Sequence, residues 1–258
     1  MTTQCLLGRF YLAAQTITVN ATPVVTTAGY YYLAGYTGES PNQLDDHLGG
    51  LIAGVVAGSG IGIDLATGLT YIAMPGAATI TWGTATTLRD LLGFSGADTG
   101  STELAISSDP CRYLWAPKRN SAAVALRSYA NGLTAASFWD RPSMSMTHRA
   151  PSGASSTIAA PFTAGVNELS WQRLDKTSVR VTANPTPNTF EQFWLDTING
   201  GQEMRVVLDA SSYTSANTVS ALARSEDDGY GDFSSYANRS QDDFDLHWDV
   251  RIPLVESA

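Results

Sequence analysis

Lysine is almost missing from this chain: Lys118 and Lys176 are its only two among 258 residues. Lysine and arginine together number 15 against 24 acidic residues, a net charge of −9. Phosphate contacts need clustered cations. Here basic residues gather only weakly, at Lys118-Arg119 and between Arg173 and Arg180, so no direct nucleic-acid recognition is expected. Cysteine is as scarce. Cys5 and Cys111 lie too far apart for a zinc or redox motif. A reduced, cytoplasm-made protein is the reading they favour, with their pairing left open. There is no long hydrophobic run either. The uncharged stretch Leu48–Ile63 is broken by glycines and falls short of the roughly 20 residues that cross a bilayer, so no membrane span is expected. The start, MTTQCLLGRF, has no basic region ahead of an apolar one, and a signal peptide is not expected.

Enough apolar material remains for a core, 43% of residues, and little enough charge, 15%, to exclude a disordered chain. QCLLGRFYLAA, TITVN and ATPVVTTAGYYYLAG read as strands between polar turns. Ser40-Pro41 then reads as a cap and first helical residue, opening a helix over about 41–57. Its apolar residues Leu44, Leu48, Leu51, Ile52, Val55 and Val56 recur at helical spacing, and GSG ends it near Gly58. IGIDL and LTYIAM, on either side of Ala66-Thr67-Gly68, predict a hairpin. The strand ATITWG leads into TTLRDLLGFSG. There Thr87 reads as the N-cap of a short helix over 88–92 and Asp90 as its capping-box acid. Gly93 reads as the left-handed stop, and Phe94 as an apolar contact folding back near Leu88.

Residues 117–165 are rich in Ser, Ala, Pro and Gly, and read as long loops or an arm with strands at SMSMTHR and SSTIAAPF. ELSWQRLD and TSVRVTAN read as a strand pair around Leu174. Thr189 and Gln192 form a capping box for a helix over about 190–198, which Asn199-Gly200-Gly201 ends. EMRVVLD and LHWDVRIPLV are strands, the second with Leu246, Trp248, Val250 and Ile252 on one face and His247, Asp249 and Arg251 on the other. The expected fold is therefore α+β and β-rich. A unit over 1–116 and another over 166–258, each a sheet or sandwich flanked by one short helix, are joined by the irregular segment 117–165.

Catalytic patterns fail in turn. Gly93-Phe94-Ser95-Gly96 lacks nucleophile-elbow spacing. Gly58-Ser59-Gly60-Ile61-Gly62 precedes a strand, where a phosphate loop would follow one. His47, His148 and His247 are scattered rather than spaced as metal ligands. The acidic stretch 226–245 lacks the ligand alternation of an EF-hand, and whether it binds calcium stays open. No catalytic residue, cofactor or metal is expected. What stands out is aromatic: Tyr30-Tyr31-Tyr32, Tyr113-Leu114-Trp115, Phe138-Trp139 and Phe193-Trp194. Aromatic residues and arginine anchor interfaces, and Tyr30, Tyr32, Trp115, Trp139 and Arg205 are the interface candidates. Alternation requires at least one of the three tyrosines to point outward.

TITWGTATTLRDLLGFSG, PCRYLWAPKRN, FEQFWLDTINGGQEMRVVLD and the closing LHWDVRIPLV resemble segments of virion structural proteins of tailed bacteriophages. The resemblance covers about half the chain in scattered pieces and brings no catalytic residues. Two units joined by a long irregular middle depart from a minimal single-domain tube subunit. The resemblance implies a tail or baseplate (tail-tip) subunit, made in the host cytoplasm and residing in the virion. Such a subunit forms rings with copies of itself through sheet edges and loops, beside other virion proteins. A capsid-associated or head-to-tail component is the nearest alternative. A carbohydrate- or receptor-binding module using exposed aromatics such as Trp139 is the alternative of another class, and an enzyme is not expected.

Overall fold

The computed structural model describes residues 4–36, 43–117, 145–149, 155–159, 166–181, 186–211, 213–223, 232–239 and 247–257. In chain order these form β1 (Cys5–Gly8), β2 (Phe10–Leu12), β3 (Thr16–Val19), β4 (Thr22–Val25), β5 (Gly29–Tyr31) and α1 (Leu44–Ala53). There follow β6 (Gly60–Ile63), β7 (Thr70–Ala78), β8 (Ile80–Thr81), α2 (Thr86–Leu91), β9 (Thr102–Ile106) and β10 (Leu114–Trp115). A hairpin of β11 (Ser145–Arg149) and β12 (Ser155–Ala159) comes next, then β13 (Val166–Asp175) and α3 (Phe190–Phe193), which continues as a π-helical turn through Trp194–Ile198. The chain closes with β14 (Met204–Val207), β15 (Thr218–Ala223), β16 (Ala237–Arg239) and β17 (His247–Glu256). It is a β-rich α+β fold of several antiparallel sheets with few, short helices.

The largest sheet runs β10-β1-β14-β15-β17-β13, with β16 beside β17. It joins strands from opposite ends of the sequence, and its central strands are buried on both faces: all four residues of β1 and all four of β14 are buried. Side chains alternate across a strand, so each face of β1 feeds a different core. Leu6 aligns with Val206 and Trp115, and all three lie in a core built from residues 169–254. Cys5 aligns with Val207 and Leu7 with Leu114, and these lie in the other core, otherwise built from residues 10–116. Cys5 and Cys111 are free thiols enclosed in that core. Burial pushes the Cys111 thiol up to about 12 and Cys5 higher still, so neither is an available thiolate.

Around the first core, β2-β5, β4-β3-β8 and β6-β7-β9 form small antiparallel sheets. The β6–β7 hairpin closes as the glycine-containing turn predicts, with Asp64 accepting from Ala66 N–H and Thr67 Oγ1. Helix α1 starts later and ends earlier than its sequence cues indicate, with Gly54 rather than Gly58 closing it. Gln43 is the N-cap and makes no side-chain cap, while Ser40 and Pro41 lie outside the described residues. The first-turn donors are satisfied by tertiary structure instead: Leu44 and Asp45 N–H groups donate to the carbonyls of Tyr32 and Leu33.

Helix α2 departs the same way at its start. Ala85 is the N-cap, Thr87 is inside the helix, and the Leu88 N–H is capped by Gln15 Oε1 from across the fold at 3.1 Å. Asp90 pairs with neighbouring Arg89 rather than with the helix start. Its end follows the sequence. Gly93 has φ +80°, Phe94 N–H donates to the Arg89 carbonyl and Gly93 N–H to Asp90, the two bonds of a Schellman ending. A Cβ on Gly93 would lie 1.9 Å from the Asp109 carbonyl oxygen, so space as well as dihedral requires glycine. Phe94 packs against Trp82, with ring centres 5.1 Å apart.

In the second half, Lys176–Val179 is a helical turn where a strand was expected, and Arg180 after it is extended. Asp175 ends β13 and accepts the Thr177 N–H as an N-cap, and β13 pairs with β17 instead. Thr189 caps α3 by accepting Gln192 N–H. The Gln192 side chain does not return to the cap and donates to Asp196, which also holds Arg112 in a bidentate ion pair. That buried carboxylate ties the first half of the chain to α3. In β17, Trp248, Val250 and Ile252 are buried as the alternation predicts, Leu254 continues that face, and Leu246 lies outside the described residues. Pro253, which has no N–H to donate, falls between the stretches that pair with β16 and β15.

Candidate interaction surfaces

Period-2 alternation in RFYL buries Phe10 and Leu12 and turns Arg9 and Tyr11 to the other side. Across the β2–β5 ladder Tyr11 faces Tyr30. The two rings meet edge to face at 5.3 Å, and they are 60% and 50% exposed. The Arg9 guanidinium lies 5.0 Å from the Tyr30 ring centre and pairs with Glu203 at 3.2 Å. A cation over an aromatic face is attracted to its quadrupole, so Arg9 holds Tyr30 in place although both are half in water. The result is an ordered aromatic knob on the surface.

Beneath it the two tyrosines that follow Tyr30 are fixed. Tyr31 is buried, its hydroxyl donating to the Thr27 carbonyl. Tyr32 is buried under Arg205, whose guanidinium sits 3.7 Å from its ring centre and also donates to the Tyr213 hydroxyl. Tyr213 in turn donates to the Ala34 carbonyl. Burial first, and then the Glu203 carboxylate, push the Tyr32 phenol well above its ordinary range, so it stays neutral beside that acid.

A second surface feature forms where the α2 ending meets β9. Phe94 points inward, and Ser95 to Thr99 form one wall of a groove whose other wall is β9. The groove holds about 260 Å³. Phe94, Leu104 and Ile106 supply apolar surface, and Ser95, Asp98 and Ser108 supply oxygens. Leu104 and Ile106 are each about half exposed, at 51% and 50%, because Ala105 takes the inward face of this edge strand.

No family model matches the chain, and no curated protein or solved structure matches it. Function therefore rests on these surfaces. Of the interface candidates, Tyr30 is exposed, Trp139 lies outside the described residues, and Tyr32, Trp115 and Arg205 are occupied inside the chain. Trp115 is enclosed between Trp171 and Phe190, its Nε1 donating to the Ser178 carbonyl. Arg9, Tyr11, Leu104 and Ile106 escaped the sequence reading. The alternation in RFYL could have found the first two. Nothing in TELAI marks the outward face, since both of its faces carry apolar residues. Among the described residues no group of three or more His, Cys, Asp or Glu is placed to hold a metal, and no helix is long and apolar enough to cross a membrane.

Proposed function

We propose that the protein is a structural subunit of a tailed-bacteriophage particle, a tail or baseplate component that assembles with copies of itself and docks against other virion proteins. The virion setting is supported by the four segments that resemble virion structural proteins of tailed bacteriophages. The assembly reading is carried by one observation: the Tyr11–Tyr30 pair, half exposed and held by Arg9. Tyrosine and arginine dominate interface hot spots because they present large, stiff surfaces with a polar tip. Light scattering and electron microscopy of the purified full chain test the reading. Wild type is expected to form concentration-dependent oligomers, and the double variant Tyr11→Ala/Tyr30→Ala to stay monomeric with its fold intact. A wild-type chain that remains a monodisperse monomer at every concentration would overturn it.

The same knob favours one second reading, a carbohydrate-binding surface. Exposed rings can stack on a sugar face while Arg9 and Glu203 reach its hydroxyls. Glycan-array binding by wild type, lost in Tyr30→Ala while the oligomeric state is unchanged, would select that reading instead.

A further inference from the structure

We infer that the groove between residues 94–99 and β9 is the receptor for the Tyr11–Tyr30 knob of a second copy, so that the subunit assembles head to tail. The inference rests on the assembly reading and adds to it which surface meets which. Size is the first argument. The groove, at about 260 Å³, is smaller than the roughly 300–1,000 Å³ of sites that enclose a whole small-molecule ligand. It exceeds the roughly 150 Å³ cavity that holds a benzene ring. One ring of the knob is the occupant it fits, and the other ring of the Tyr11–Tyr30 pair packs outside it.

Polarity is the second argument. A tyrosine needs apolar walls for its ring and a hydrogen-bond partner for its hydroxyl. The groove offers Leu104 and Ile106 for the ring, and Ser95, Asp98 and Ser108 oxygens at the rim. Charge is the third. Asp98 is exposed on the groove wall, and Asp109 lies beside it, with Ser108 Oγ 3.2 Å from its carboxylate. The knob brings Arg9, which has spent one donor on Glu203 and keeps others free among the described residues. The guanidinium beside the knob, paired with Glu203 on one side, thus turns its remaining donors to carboxylates beside the groove.

Knob and groove are different patches, formed by β2–β5 and by β9 with the α2 ending. A contact between unlike patches is heterologous, and repeats of it close into a ring or run on as a filament. A knob meeting a knob would instead stop at a two-fold dimer.

Mixing two half-dead variants tests this. Tyr11→Ala/Tyr30→Ala removes the knob, and Leu104→Lys/Ile106→Lys blocks the groove at positions half in water, where the fold tolerates charge. Circular dichroism and thermal melts of each variant guard against misfolding. The full-length chains are then measured alone and mixed by light scattering and analytical ultracentrifugation. Each alone is expected to be monomeric where wild type assembles, with contact affinity reduced at least about thirtyfold, as loss of a hot spot implies. The equimolar mixture is expected to give a one-to-one dimer and nothing larger, because one intact knob faces one intact groove. A folded groove variant that assembles as wild type does, or a mixture of monomeric variants that stays monomeric, overturns the knob-in-groove contact while leaving assembly itself standing. A wild-type chain that never assembles fails the underlying reading instead.

Discussion

At the scale of single residues, the aromatic side chains divide by what surrounds them rather than by their type. Trp115 and Tyr30 were equal candidates in the sequence. Trp115 is fully enclosed and hydrogen-bonded, so Trp115→Ala opens a cavity and is expected to cost about 3–5 kcal/mol in chemical denaturation. Tyr30→Ala removes a half-exposed ring and is expected to change stability by no more than about 1 kcal/mol while weakening assembly. Equal losses of stability would sink this division. Arg205 shows why the sequence misleads here. Arginine is ordinarily a surface residue, yet Arg205 is on a strand buried on both faces and has its charge accommodated by the Tyr32 ring and the Tyr213 hydroxyl.

Elements show a different asymmetry, between local and remote determinants. The α2 ending was legible because a Schellman stop is written in two adjacent residues, Gly93 and Phe94. Its start was not, because the capping oxygen belongs to Gln15, 73 residues away. Helix α1 repeats the pattern, with strand carbonyls in place of a side-chain cap. The first turn of α1 also carries a pH response. Burial raises the Asp45 carboxyl to about 6, against about 3.9 for a free side chain. The folded state therefore holds this proton more tightly than the unfolded state, and stability falls as pH rises from about 4 to about 6. Asp45→Asn keeps the acceptor for Asp46 N–H. It is expected to be more stable than wild type at pH 7 by about 1–2 kcal/mol and equal to it at pH 4. His47 acts in the opposite direction. Burial lowers its pKa and its Nε2 accepts the Thr27 N–H, so stability is lost as pH falls below about 6.5. Melting curves of both chains at unit pH steps read the two contributions apart. No difference between Asp45→Asn and wild type at pH 7 would rule out the Asp45 contribution.

For the whole molecule, β1 is the decisive strand. Its even face serves one core and its odd face the other. The Arg112–Asp196 ion pair adds a second tie between the first half of the chain and α3. The molecule is accordingly expected to unfold in one calorimetric transition. Leu6→Ala, which opens the second core, and Leu7→Ala, which opens the first, should each lower that transition by about 2–5 kcal/mol without splitting it. Two resolved transitions in wild type would show that the cores are independent.

The sequence by itself determined the class of fold and most of the local punctuation. Alternation in LHWDVRIPLV set the buried face of β17, the Thr189 cap opened α3, and Gly93 closed α2. These depend on neighbours within a few residues, which is the range over which side-chain period and capping act. Only the tertiary structure decided that β1 lies between β10 and β14, that Asp175 ends a strand where a pair was expected, and that Tyr30 rather than Tyr32 or Trp115 meets water. Strand partners, remote caps and the outward face of an edge strand such as β9 are set by contacts across tens to hundreds of residues. Along TTLRDLLGFSG the local code wrote the stop, and the fold alone made its last residues the wall of a groove.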